Sequence, residues 1–148
     1  MGETLRGELE AVLAAVVAAA RDGDAEAFLG AVQPPGDGLE EELRADFERS
    51  PDLFVQMFPS PAHTTFVAVR AEGSLLAAYY HLRLNPYDPC RAQIILSAFV
   101  RAEGRWKLLL RGALHNFDFE PEADFLARAR ELVATEPALQ LRPPTAST

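Results

Sequence analysis

Cysteine is nearly missing from this sequence, with one, Cys90, in 148 residues. A lone thiol closes no disulfide within the chain and builds no thiolate cluster for zinc, so a reducing cytoplasm is the expected setting. Basic residues are scarce as well, 14 against 22 acidic ones, for a formal charge of −8. That balance repels a phosphate backbone and an anionic bilayer, so neither nucleic acid nor membrane is an expected partner. The apolar run Leu9 to Ala20 is too short to span a bilayer, is broken by Glu10 and follows an acidic lead, and it is expected to be neither anchor nor secretory leader. No glycine-rich phosphate loop, nucleophile elbow or metalloprotease helix occurs. With three histidines and no carboxylate or cysteine spacing beside them, no metal or cofactor is expected.

What the chain does contain is enough apolar material for a core: 49% hydrophobic residues against 24% charged, in a length that fits one domain. Residues 1–140 are assigned to that domain and Leu141 to Thr148 to a disordered tail. Leu5, Leu9, Val12, Leu13, Val16, Val17 and Ala20 recur at helical spacing, which predicts an amphipathic helix from Thr4 to Arg21, ended by Gly23. Asp24 has the chemistry of an N-cap and opens a short second helix through Phe28, Leu29 and Val32. A third is expected from Leu39 to Arg49, with Glu40 and Arg44 as an i,i+4 ion pair. Ser50-Pro51 then opens a capped turn through Leu53, Phe54, Met57 and Phe58. Glu120-Pro121-Glu122 starts a last amphipathic helix with Phe125, Leu126, Ala129, Leu132 and Val133 on one side.

Between these helices the period changes to two. His63 to Arg70 and Ser74 to Leu84 read as one hairpin, Arg91 to Arg101 and Arg105 to Phe117 as another. The turns repeat, since Val69-Arg70-Ala71-Glu72-Gly73 returns as Val100-Arg101-Ala102-Glu103-Gly104. A three-residue loop with a left-handed glycine is expected in both, pairing Arg101 with Arg105. That register puts Ile94, Leu96, Ala98, Val100, Trp106, Leu108, Leu110 and Leu114 on a core face. Gln93, Ile95, Ser97, Phe99, Lys107, Leu109, Arg111, Ala113 and His115 fall on the other, which is too apolar to be only a solvated surface. A cover for it is expected.

Two segments, Ala19-Ala20-Arg21-Asp22-Gly23-Asp24-Ala25-Glu26-Ala27-Phe28-Leu29 and Phe99-Val100-Arg101-Ala102-Glu103-Gly104-Arg105-Trp106-Lys107-Leu108, together resemble the nuclear-transport-factor-2-like superfamily, the cystatin-like cone. The resemblance covers Thr4 to Phe117. It implies an α+β fold in which a curved antiparallel sheet of at least four strands wraps on N-terminal helices as a cone, with an internal pocket and a homodimer made through the sheet. The chain departs from the family in three ways: Leu39 to Phe58 reads as wholly helical, the last helix is an addition, and the four strands counted are fewer than the family's usual number. A plain α+β domain with helices on one sheet face is the alternative.

Phe54, Phe58, Phe66, Tyr80, Leu96, Trp106 and Leu110 are the candidates for lining a pocket, and Gln93, Ile95, Phe99, Leu109, Arg111 and Ala113 for a dimer face. The expected function is a non-catalytic homodimeric domain that binds a small apolar ligand or a protein partner. The resemblance also admits an isomerase, dehydratase or cyclase using Tyr80 with His63, His81 or His115 as acid and base. Against this, the first helix carries no Tyr or His on its apolar stripe, and no carboxylate interrupts the expected core faces. Tyr80 reads more simply as a packing residue whose hydroxyl reaches the rim, and the histidines as ordinary strand-end residues. Cys90 lies beside Arg91, which favours a thiolate, but a loop cysteine without a role is the simpler assignment.

Overall fold

The structure is a computed structural model that describes residues 2–34, 39–50, 52, 64–85, 87–120 and 124–140, with the backbone alone for 2, 3, 111–115 and 138. The apolar stripe of the N-terminal segment produces α1 (Gly2–Asp22), with Leu9, Leu13, Val16 and Ala20 buried along one side. Gly23 ends it in the left-handed conformation, φ 69°, where a residue with a Cβ would be strained. The Asp24 amide donates back to the Ala19 carbonyl at 2.9 Å, and the Asp24 carboxylate accepts from the Ala27 amide at 3.1 Å. This cap starts α2 (Ala25–Ala31). The helix stops one residue earlier than the sequence suggests, because Val32 and Gln33 form a short strand, β1 (Val32–Gln33). The third helix, α3 (Glu40–Arg49), appears where expected, and Phe47 stacks on Phe28 of α2 with ring centroids 4.4 Å apart. Arg44 turns away from Glu40 and pairs with Glu26 of α2 at 2.6 Å, so a contact expected within one helix instead ties two together. The turn expected at Ser50 to Phe58 falls largely outside the described residues.

Four longer strands follow: β2 (Thr65–Glu72), β3 (Leu76–Leu84), β4 (Arg91–Ala102) and β5 (Arg105–Asp118). They pair as successive antiparallel neighbours, and β1 adds in parallel to β5, giving the order β1-β5-β4-β3-β2 in one curved, unclosed mixed sheet. The fold is therefore α+β with five described strands, one more than the sequence count. Bulges between Phe66 and Ala68 and between Ser97 and Phe99 bend and twist the ladder locally.

The β4–β5 turn corrects the expected register. Arg101 pairs with Trp106 and Ala102 with Arg105, so the loop has two residues, Glu103 at φ 57° and Gly104 at φ 78°. Both central residues are left-handed, the combination of a type I′ turn, whose twist matches that of the strands. A slip of one residue exchanges the faces of one strand relative to the other. Phe99 consequently faces Leu108 rather than Lys107. The β2–β3 hairpin does have a three-residue loop, Gly73 to Leu75, but it is displaced from the expected one and pairs Glu72 with Leu76. Gly104→Ala is expected to destabilise the fold by about 1 kcal/mol, since alanine at that φ crowds its own backbone; urea denaturation measures it, and an unchanged midpoint would contradict the turn geometry.

Both faces of the sheet are covered. Along β3 every residue from Leu76 to Leu82 is buried, and alternation divides them between two cores. Ala77 and Tyr79 join Phe99, Trp106 and Leu108 beneath α1, α2 and α3. Ala78, Tyr80 and Leu82 join Ile94, Leu96 and Phe117 on the other side. That second side is closed by α4 (Phe125–Thr135), through Ala129, Leu132 and Val133, and by Leu139 in the 3₁₀ turn after it. The cap of α4 is Asp124, whose carboxylate accepts from the Leu126 and Ala127 amides at 3.1 and 3.2 Å, so the helix begins later than the acidic segment Glu120 to Glu122. Arg70 of β2 donates to the Val133 carbonyl at 3.2 Å and pins its far end.

Candidate functional site

An open cleft of about 650 Å³ lies between α1, α2 and the β4–β5 turn. Its floor is made of the short side chains that the solvent side of each helix presents there, Ala11 and Ala15 from α1 and Ala27, Gly30 and Ala31 from α2. Alanine favours helix and adds no bulk, so the same residues that form the helices leave the space between them. The wall is Trp106, largely buried, whose indole N–H donates to the Glu8 carboxylate at 3.2 Å. Arg101, directly across the ladder from Trp106, holds its guanidinium 5.4 Å from the ring centroid, within cation–π range. Arg105 completes the rim from the other side of the turn.

A second group of polar side chains sits under α1. Arg6 and Glu10 are one turn apart and form an ion pair of 2.7 Å. The Arg6 guanidinium lies 3.9 Å from the centre of the Phe66 ring. Tyr79 is almost fully buried; burial first, and the Glu10 charge second, push its hydroxyl pKa up to about 12. His81 is 3% exposed, its ring 5.9 Å from that of Tyr79. Neither imidazole nitrogen has a hydrogen-bond partner among the described residues. Burial, assisted by the nearby Arg83 charge, lowers its pKa to about 4.

The structure distributes the residues singled out from the sequence over three settings. Phe66, Trp106 and Leu110 pack with the core under the N-terminal helices, whereas Tyr80 and Leu96 belong to the core under α4. Phe54, Phe58 and His63 lie outside the described residues. Tyr80 and His81 are successive on β3 and point to opposite faces, so these two cannot act on one substrate. His115 pairs by its backbone with Ile94. Phe99 is fully buried beneath the N-terminal helices and Leu109 packs against the core on the α4 side. Ile95 is half-buried, and Gln93 bonds at 2.9 Å to both Arg83 and Asn116. Arg111 and Ala113 are placed by the backbone of β5 alone. The residues expected to form one dimer face are thus divided between the two sides of the sheet, Phe99 under the N-terminal helices and Leu109 towards α4.

Tyr79, Glu10, Arg6 and the alanine floor were not singled out from the sequence. A carboxylate at Glu10 inside the apolar run was the available signal. Cys90 is free and half-buried, its amide donating to the Asp88 carboxylate at 3.0 Å. Among the described residues no three histidine, cysteine or acidic groups converge as a metal would require, and no helix is long and apolar enough to cross a membrane. Compared with known families and curated proteins, the chain matches no family model and no curated sequence.

Proposed function

We propose that this chain is a non-catalytic binding domain of the nuclear-transport-factor-2-like kind, holding a small apolar ligand in the cleft between α1, α2 and the β4–β5 turn. The cleft carries the proposal: at about 650 Å³ it has the size of small-molecule sites, and it combines apolar lining with a few polar groups at its margin. The break at Gly23-Asp24 between α1 and α2 and the Gly104-Arg105-Trp106-Lys107 turn support the kinship.

Acid–base catalysis has less support. An efficient proton-transfer group needs a pKa near the working pH, and the cluster under α1 holds a tyrosine at about 12 and a histidine at about 4. These two bracket neutrality without approaching it.

The chain's single tryptophan lines the cleft, so its emission reports occupancy. Titration with the neutral fluorophore N-phenyl-1-naphthylamine is expected to give saturable energy transfer from Trp106. Ala15→Phe fills the cleft from an exposed helix position and should weaken that binding by about tenfold or more. Transfer that never saturates, or that is indifferent to the substitution, would remove the cleft as the site.

A further inference from the structure

We infer that the ligand is a monoanionic amphiphile, an apolar body ending in a single carboxylate that Arg101 and Arg105 hold at the rim of the cleft. This rests on the cleft being the binding site.

In a chain with 22 acidic residues, most of the described arginines are answered within the fold. Arg6, Arg44, Arg49, Arg91 and Arg128 each hold a carboxylate. Arg70 donates to a backbone carbonyl and Arg83 to Gln93. Arg101 and Arg105 have no carboxylate or carbonyl partner among the described residues, and both flank one cleft. Arg21 and Arg130 also have no carboxylate partner among the described residues, but neither lines it. Two free guanidiniums beside an apolar floor offer forked donors to an anion whose tail needs cover.

The cleft is built around these cations. Arg101 rests over the Trp106 ring, which fixes its position without neutralising it. Arg105 lies over a glycine: its Nη2 is 3.7 Å from where a Cβ of Gly30 would stand, an ordinary contact distance. Gly30 sits inside α2, where glycine costs about 1 kcal/mol relative to alanine, and any side chain longer than alanine's would meet the guanidinium.

Acidic neighbours set the ligand's charge. Glu26 is answered by Arg44 and Glu8 takes the indole N–H, yet both carboxylates line the cleft and oppose a second negative charge. A phosphate dianion or a dicarboxylate is therefore disfavoured relative to a monocarboxylate.

Decanoate, 1-decanol and decanedioate, each displacing N-phenyl-1-naphthylamine at pH 7.5, test this. Decanoate is expected to bind about tenfold or more tighter than 1-decanol, to lose that advantage with added salt, and to exceed decanedioate. The double substitution Arg101→Gln with Arg105→Gln should bring decanoate to the level of 1-decanol measured in the same variant. The matching lysine pair, which keeps the charge, should retain part of the preference. Equal affinity for decanoate and 1-decanol in the unsubstituted protein, or a preference that survives the glutamine pair, overturns the anion assignment while leaving the cleft as an apolar site. Tighter binding of decanedioate overturns the single charge. Failure of all three to displace the fluorophore overturns the binding function itself.

Discussion

Replacing Phe99 by alanine is expected to lower the unfolding free energy by about 3–5 kcal/mol, the usual cost of emptying a buried aromatic site. Phe99 is fully buried opposite Leu108, in the core that α1, α2 and α3 close. A loss of that size is a large share of the roughly 5–15 kcal/mol that holds a domain of this kind together. Phe99→Glu should fare worse, because it places an unpaired carboxylate in the same space. The exposed Leu75, 63% accessible in the β2–β3 turn, supplies the control, since Leu75→Ala should move stability by less than about 0.5 kcal/mol. Urea denaturation of the three variants distinguishes a core Phe99 from one on an outer sheet face: an outer position would make Phe99→Ala as mild as Leu75→Ala.

The placement of Phe99 shows where the sequence stopped being informative. Helix α1, its stop at Gly23 and the Asp24 cap follow from spacing and local chemistry, so they were legible. So were the two hairpins, because alternating apolar residues and a glycine turn are also local. The register across β4 and β5 was not. Glu103 at φ 57° takes a left-handed position that turn preferences assign to glycine, asparagine or aspartate, and nothing short-range says that it will. One residue of slip then moved Trp106 from the side of Leu96 to that of Phe99. The two-residue β1 exists only because β5 offers it an edge, a tertiary cause invisible in a window around Val32.

Acidification is expected to weaken this protein through His81, and His81→Leu should remove much of that dependence. Unfolded, the imidazole titrates near its ordinary 6.5; folded, burial and then Arg83 hold it at about 4. Between those values the unfolded chain binds more protons than the native one, so stability falls as pH drops from about 6.5 towards 4. A shift of that size corresponds to about 3 kcal/mol once both states are below their pKa values. Its surroundings give no relief, since Tyr79 flanks it on β3, Phe66 and Ile95 oppose it on β2 and β4, and the Arg6–Glu10 pair on α1 is already closed. Leucine has a similar volume and no nitrogen to desolvate, so the variant should already be about 1–2 kcal/mol more stable at pH 7. Its advantage should widen at pH 5. Urea midpoints measured from pH 7 to pH 4.5 decide it, and parallel curves for the two proteins would falsify a buried neutral imidazole.

The candidate cleft was less legible than the fold, for a physical reason. Ala11, Ala15 and Ala27 read as helix formers, and only the approach of α1 to α2 turns them into a floor. Arg101 and Arg105 read as the polar ends of a turn. Their want of carboxylate partners is a property of three-dimensional neighbours, not of spacing. Glu10 was visible as a break in an apolar run, but the effect of its charge on Tyr79 depends on which of two adjacent tyrosines faces the helix.

β1 also bears on how the chain is made. Val32 and Gln33 pair with Leu108 and Leu109, and the surface that α1 covers includes Phe99, Trp106 and Leu108. A nascent chain emerging from the ribosome forms α1 early, with Leu9, Leu13 and Val16 aligned, but the core they share with Phe28, Phe47 and Tyr79 stays open until β5 supplies Trp106 and Leu108. Such long-range closure is slow, and an apolar stripe only partly covered until β5 is made is the kind of surface that chaperones hold. The interval of greatest vulnerability to aggregation is therefore set by translation speed across β2 to β5, rather than by how fast the first helix folds.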